Sequence, residues 1–210
     1  GKGKIFCAGG DIKDFKNKMQ NTDITSVSLN NRSFGNVMTK LNEQPQVVII
    51  LVEGAAIGGG LGLACVSDIT LVHQETKFRL SETSLGIPPA QIAPFVVQRI
   101  GITNARYLML TGAKFDGKKA FEIGLAHAVF QDSCQMEQRL ADILSEINEC
   151  AKNANAATKK ILLKALCSPM TETLDFASFE FANCMLGDEG REGVSAFLEK
   201  RKPFWVENDG

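Results

Sequence analysis

The spacing of hydrophobic positions changes along the chain, and each change predicts an element. Leu29, Phe34, Val37, Met38 and Leu41 recur at helical spacing until Pro45 ends the pattern. Val47 to Val52 then form an unbroken apolar run, suited to a strand buried on both faces. Three glycines follow, in "GAAIGGGLGLACVSD" (Gly54 to Asp68), and Leu61, Leu63, Ala64 and Cys65 read as a short buried helix. "DITLVH" is expected to be the next strand, giving a strand, helix, strand unit with parallel strands and hence an α/β domain. "KFRL" is strand-like, and Pro88 and Pro89 turn the chain before the apolar segment Phe95 to Ile100.

Beyond Gly101 the pattern becomes helical. Asp116 is placed to cap a helix that Gly124 closes. Met136, Leu140, Ile143, Leu144 and Ile147 form a further stripe, repeated around Leu162 and Leu166 and around Val194, Phe197 and Leu198.

Composition narrows the class. The chain has 210 residues, 23 Lys+Arg against 24 Asp+Glu, and 44% hydrophobic content, as expected of one globular domain or a domain with a small appendage. A formal charge of -1 supplies no global attraction for nucleic acid or anionic membrane, and the one compact basic cluster, "EKRK", has no interleaved aromatics. No apolar run reaches the roughly 18 residues of a membrane span, and no leader-like segment opens the chain, so a cytoplasmic or organelle-matrix setting is expected. Cys7, Cys65, Cys134, Cys150, Cys167 and Cys184 form no CxxC pair and are read as buried reduced thiols.

The candidate chemistry centres on the glycines. A helix that begins near Gly58 to Gly60 offers free backbone N–H groups and a partial positive charge to an oxygen that becomes negative in a reaction. The competing reading is close packing of helix on strand. GxGxxG, GxxxxGK[ST] and GxSxG are all absent, and His73 and His127 fall in no triad or metal-ligand arrangement, so both histidines are read as structural.

Five segments in register, "FCAGGDIK", "GAAIGGGLGLACVSDI", "FRLSETSLGIPP", "LTGAKFDGKKAFEIGLAHAVF" and "EGVSAFLEKRKPFW", resemble the enoyl-CoA hydratase/isomerase (crotonase) superfamily. The likeness is strongest to the branch of hydratases of methylglutaconyl-CoA and isohexenylglutaconyl-CoA. It implies an α/β spiral of ββα repeats over residues 1–132, lacking the family's first strands, and a C-terminal helical oligomerisation region over 133–210. It implies a homotrimer or homohexamer, and an acyl-CoA substrate with no separate cofactor and no metal.

The resemblance also assigns residues. The N–H groups of Gly10 and Gly59 would hold the enolate oxygen, Glu82 would transfer protons, and backbone groups of Cys7, Ala8, Asp11 and Ile12 would cradle the adenine. Lys13 and Lys200 would meet CoA phosphates, Lys200 from a neighbouring subunit. Phe181 and Phe197 match positions that contact CoA, although their helical spacing favours core packing. The leucines and isoleucine around Glu82 would raise its pKa.

The first of the family's two glutamates falls at Gly62. Hydration needs a base for water and an acid for C2, whereas one carboxylate can move a double bond. On this chemistry alone isomerisation leads; hydration is expected instead from the resemblance, because the hydratase branch also carries Gly at this place, and a non-catalytic acyl-CoA binder is disfavoured by the retained Glu82. Arg79 is a candidate partner for a second substrate carboxylate.

Overall fold

A computed structural model describes residues 5–13, 15–16 and 23–207. The chain divides into two compact units, Gly1–Asn42 with Val48–Glu137, and Glu43–Val47 with Gln138–Gly210.

In the first unit, α1 (Ile24–Asn42) precedes β1 (Ile49–Val52), β2 (Ala55–Ile57), α2 (Gly59–Val66), β3 (Ile69–His73), β4 (Lys77–Arg79), a 3-10 turn at Glu82–Leu85 and α3 (Ala93–Thr111). Then come β5 (Lys114–Phe115), α4 (Gly117–Glu122), β6 (Ala128–Phe130) and the start of α5 (Ser133–Asn148). The strands alternate between two sheets. β1, β3 and β6 form one, parallel throughout, with Ile49 opposite Ile69 and Leu71 opposite Ala128. β2, β4 and β5 form the other, with β2 parallel and β5 antiparallel to β4. The first two passes, β1–β2–α2 and β3–β4–α3, each leave one strand in each sheet before a helix, as in the expected spiral of ββα repeats, and in the third α4 separates β5 from β6.

Burial follows the apolar runs. Val52, Leu61, Leu71, Val72, Phe78, Leu80 and Val96 are all fully buried, and Phe78 stacks on Phe115 with centroids 5.2 Å apart. Asp116 caps α4, its carboxylate accepting from Lys119 N–H at 2.9 Å. α3 is longer than the sequence pattern implied, because the helix continues through a kink at Gly101, whose φ of 73° only glycine adopts readily.

Several expectations are corrected. The stripe of α1 is not a core stripe throughout: Met38 is fully buried, whereas Leu29 and Val37 are exposed. The cysteines are free thiols, but only Cys65 is buried; Cys134, Cys150 and Cys167 are exposed.

The second unit is helical, continuing α5 and adding α6 (Lys152–Ala165), α7 (Met170–Leu186), α8 (Asp188–Glu199) and α9 (Phe204–Glu207). Glu189 at the start of α8 accepts from Asn153 N–H at 2.9 Å, tying α8 to α6. Phe181 and Phe197 do not pack in this unit's core; they are 67% and 82% exposed. Among the described residues, no helix is long and apolar enough to cross a membrane.

Candidate functional site

The three glycines between β2 and α2 each yield space to a different partner. A Cβ on Gly58 would stand 2.6 Å from Glu82 Oε1, one on Gly59 would stand 3.1 Å from the Phe34 ring, and one on Gly60 would stand 2.6 Å from Cys7 Cβ. Gly58 also needs its glycine backbone, with φ 52° and ψ -117°. Its N–H donates to Arg79 O at 2.9 Å, which fixes the start of α2 on β4. The close-packing reading and the ligand reading of these glycines are therefore compatible, because the packed partners are themselves the walls of a cavity.

That cavity, of about 790 Å³, lies in the first unit and is mostly apolar. It is lined by Cys7, Ala8, Gly10, Asp11, Ile12, Gly59 and Glu82, so seven of the nine residues assigned by resemblance come together on one space. Among the described residues, neither Gly10 N–H nor Gly59 N–H donates to a protein acceptor. Both glycines line the same cavity with their N–H groups unused by the described residues.

The loop at residues 6–12 is held by strand-like bonds. Cys7 pairs with Ala56, Cys7 N–H donates to Ala55 O, and Ile57 N–H returns to Cys7 O at 2.9 Å. This is the edge of the second sheet extended by one residue. It sets the Cys7 to Asp11 backbone across from α2. The Asp11 carboxylate accepts from Lys13 N–H at 2.8 Å, while the exposed Lys13 itself does not line the cavity. Lys200 belongs to the second unit, where it ends α8 with a left-handed φ of 56°.

Glu82 opens the 3-10 turn, half-buried on the cavity wall. Its Oε2 is buried and has no hydrogen-bond partner among the described residues. Burial disfavours the charged form and pushes its pKa above the ordinary glutamate range, only partly opposed by a bond to its own backbone N–H. A carboxyl group in this state keeps its proton to higher pH than an exposed glutamate, which suits it to proton transfer. The turn is anchored to α3 by Thr83 Oγ1, which donates to Met109 O at 2.9 Å, and is closed by Ile87 N–H donating to Glu82 O at 3.2 Å.

Position 62 is closed to a second carboxylate. A Cβ there would stand 2.5 Å from Ile92 Cγ2, 3.0 Å from Ile92 Cβ and 3.2 Å from Met38 Cε. Ile92 lines the cavity and Gly62 does not, so the isoleucine fills the direction a side chain at 62 would take. Arg79 is likewise spoken for: its Nε donates to Gly112 O at 2.9 Å, and it does not line the cavity.

Both histidines serve structure, as expected. His73 Nε2 pairs with Gln131 O at 2.9 Å, and His127 Nδ1 accepts from Thr70 N–H at 3.0 Å. His127's pKa is lowered, first by burial and then by the Arg99 charge. No cluster of metal-ligating side chains occurs among the described residues.

The sequence reading missed the wall built by α1 and the turn after Pro89. Ile24, Val27, Asn31 and Phe34 line the cavity from α1, and Gln91 Nε2 donates to Asn31 Oδ1 at 2.9 Å. The available signal was Phe34, which sits on an apolar stripe whose neighbours Leu29 and Val37 stay exposed.

Comparison with known proteins agrees with this architecture. The sequence profile described as "Enoyl-CoA hydratase/isomerase" matches residues 1–208. The solved structure of Pseudomonas aeruginosa AtuE superposes with a TM-score of 0.91 at 49% identity, over 96% of this chain and 78% of that one. An enoyl-CoA hydratase/isomerase from Marinobacter aquaeolei superposes with a TM-score of 0.93 at 42% identity, over 98% and 80% of the two chains. The enoyl-CoA hydratase ACTT6 of Alternaria alternata is 32% identical over 94% of this chain, which spans 64% of that protein's length. With its profile match running nearly end to end and its two sheets wound in the same spiral, the chain belongs to the enoyl-CoA hydratase/isomerase family of enzymes.

Proposed function

We propose that this protein hydrates a 2-enoyl-CoA thioester, with Glu82 transferring the protons and the amides of Gly10 and Gly59 holding the thioester oxygen. The observation that carries the reading is the half-buried Glu82 carboxylate, unpartnered at Oε2, on the wall of a cavity that two free backbone amides share. Glu82 accepts a proton from water as the water oxygen bonds to C3. The C2=C3 electrons move toward the thioester oxygen, and the protonated Glu82 returns the proton to C2. Each oxyanion donor contributes about 3 kcal/mol to lowering the barrier.

Around this centre, the backbone of Cys7, Ala8, Asp11 and Ile12 takes the adenine end of CoA, and Lys13 and Lys200 meet its phosphates. CoA comes as part of the substrate, and no further cofactor is required. The acyl chain is branched or carries a second carboxylate. Amides and hydroxyls of Asn31, Ser28, Ser33 and Gln91 meet such a group, since no lysine, arginine or histidine is among the described residues of the lining. Assembly is a homotrimer or homohexamer in a cytoplasmic or matrix compartment.

A second reading, double-bond isomerisation, is favoured by one observation: Ile92 and Met38 close position 62, leaving Glu82 as the buried carboxylate of the cavity. One carboxylate suffices to move a proton between C4 and C2. A panel of straight, branched and carboxylated enoyl-CoA thioesters, assayed separately for water addition and double-bond migration, separates the two. Turnover of none of them by the wild-type protein rejects both.

A further inference from the structure

α2 presents the Gly59 amide at one end and is gripped at the other by the half-buried Arg99 of α3. Ala64 O and Ser67 O, at the C-terminal end of α2, accept from Arg99 Nη2 at 3.2 and 2.6 Å, and Thr70 Oγ1 accepts at 3.0 Å. Ser67 Oγ and Thr70 Oγ1 add their own bonds to Ala64 O, each at 3.0 Å. This is an unusual investment for a helix of eight residues.

Arg99 stands on α3, before the kink at Gly101. Beyond the kink, the same helix anchors the Glu82 turn through Met109 O, and Gly112, its C-cap, holds β4 through Arg79. One kinked helix therefore grips both halves of the site. We propose that Arg99 is a positioning residue, fixing α2 and hence the Gly59 amide against the carboxylate of Glu82. The inference rests on the functional reading above.

Two physical terms act through Arg99. Nη2 alone donates to Ala64 O, Ser67 O, Ser67 Oγ and Thr70 Oγ1, a position one atom beyond the reach of a lysine ammonium. Its charge sits about 12 Å from the helix start, given 1.5 Å per residue. At an effective dielectric near 20, a unit charge at that range changes the stability of an oxyanion by about tenfold. Burial lowers Arg99's pKa, opposed in part by Cys65 and Asp68; the nearby Asp68 charge offsets part of that field, so about three- to tenfold is expected. Cys65, beside Arg99, is inert, its thiol pushed up to about 12 by burial.

The test uses acetoacetyl-CoA, whose enolate absorbs in the near ultraviolet where its keto form is weak. Wild-type protein should bind it as the enolate. Arg99→Met should bind free CoA with unchanged affinity yet show about three- to tenfold less enolate per folded molecule, with Arg99→Lys in between. An undiminished enolate fraction in folded Arg99→Met overturns the role, whatever happens to its melting temperature. If Arg99→Met fails to fold, Arg99→Lys decides: a loss of at least twofold supports the role and an unchanged fraction overturns it. CoA binding without enolate in the wild-type protein rejects the oxyanion site itself, and the inference with it.

Discussion

Gly58 and Glu82 compete for one volume. The point a Cβ on Gly58 would occupy is 2.6 Å from Glu82 Oε1, so the acid keeps its place only because residue 58 has no side chain. Gly58→Ala therefore forces two changes, strain at φ 52° and displacement of the carboxylate. The variant should fold with a loss of about 1–3 kcal/mol and lose turnover by about 10²-fold or more, the contribution of a positioned acid/base. Chemical denaturation and steady-state kinetics read the two effects separately. Full turnover in Gly58→Ala would show that Glu82 does not act from this position.

Burial raises the pKa of Glu82, and this fixes the sign of two pH effects. The folded protein holds the proton more tightly than the unfolded chain, so stability is greatest below the ordinary glutamate pKa of about 4.3 and falls as pH rises through the raised folded value. Glu82→Gln should therefore melt higher than wild type at neutral pH, with the difference shrinking in acid. Turnover should fall by about 10²- to 10⁴-fold while CoA affinity holds. The wild-type rate should rise with pH through a limb above the ordinary glutamate range, and a limb at or below about pH 4.3 would mean another group titrates.

How much of this was legible in the sequence depends on what apolar periodicity measures. It reports water against interior along one segment, and so it located β1 in Val47 to Val52, the short α2 and the capped α4. The resemblance to the family, not periodicity, pointed to Gly10, Gly59 and Glu82, which the fold brings to one cavity. What periodicity could not report is the partner across space. Nothing local in the chain says that Gly58 makes room for Glu82, or that Gly62 makes room for Ile92, thirty positions away. Phe34 and Phe197 looked like core for the same reason, although one walls a cavity and the other is 82% exposed. Arg99 was passed over because a single arginine in an apolar run carries no pattern.

The exposed apolar side chains of α7 and α8 bear on assembly. Leu174, Phe181, Met185, Val194, Phe197 and Leu198 are all more than half exposed. Scattered exposed residues are normal, but this concentration on two consecutive helices is what a subunit contact covers. Sedimentation should find a trimer or hexamer. Phe197→Asp combined with Leu198→Asp should shift it toward monomer without unfolding either unit, as read by circular dichroism. Unaltered assembly in that double variant would place the contact elsewhere.

Ile92 occupies the direction a side chain at position 62 would take, so this pair tests which reaction the cavity runs. Glutamate at 62 would start 2.5 Å from Ile92 Cγ2 and 3.2 Å from Met38 Cε, inside fully buried packing. Gly62→Glu alone should therefore cost about 1–3 kcal/mol of stability through overpacking, lower turnover and introduce no hydration. Ile92→Ala removes the obstructing methyl groups and should itself cost about 2–5 kcal/mol. In the double variant, Gly62→Glu with Ile92→Ala, each change relieves the other, so the combined loss should be smaller than the sum of the two. The relief also lets the new carboxylate reach the cavity. If the native reaction is isomerisation, water addition should emerge in the double variant only. If the native protein already hydrates through Glu82, the double variant should change the rate and leave the product unchanged. Additive stability losses with unchanged products would show that Ile92 does not guard position 62.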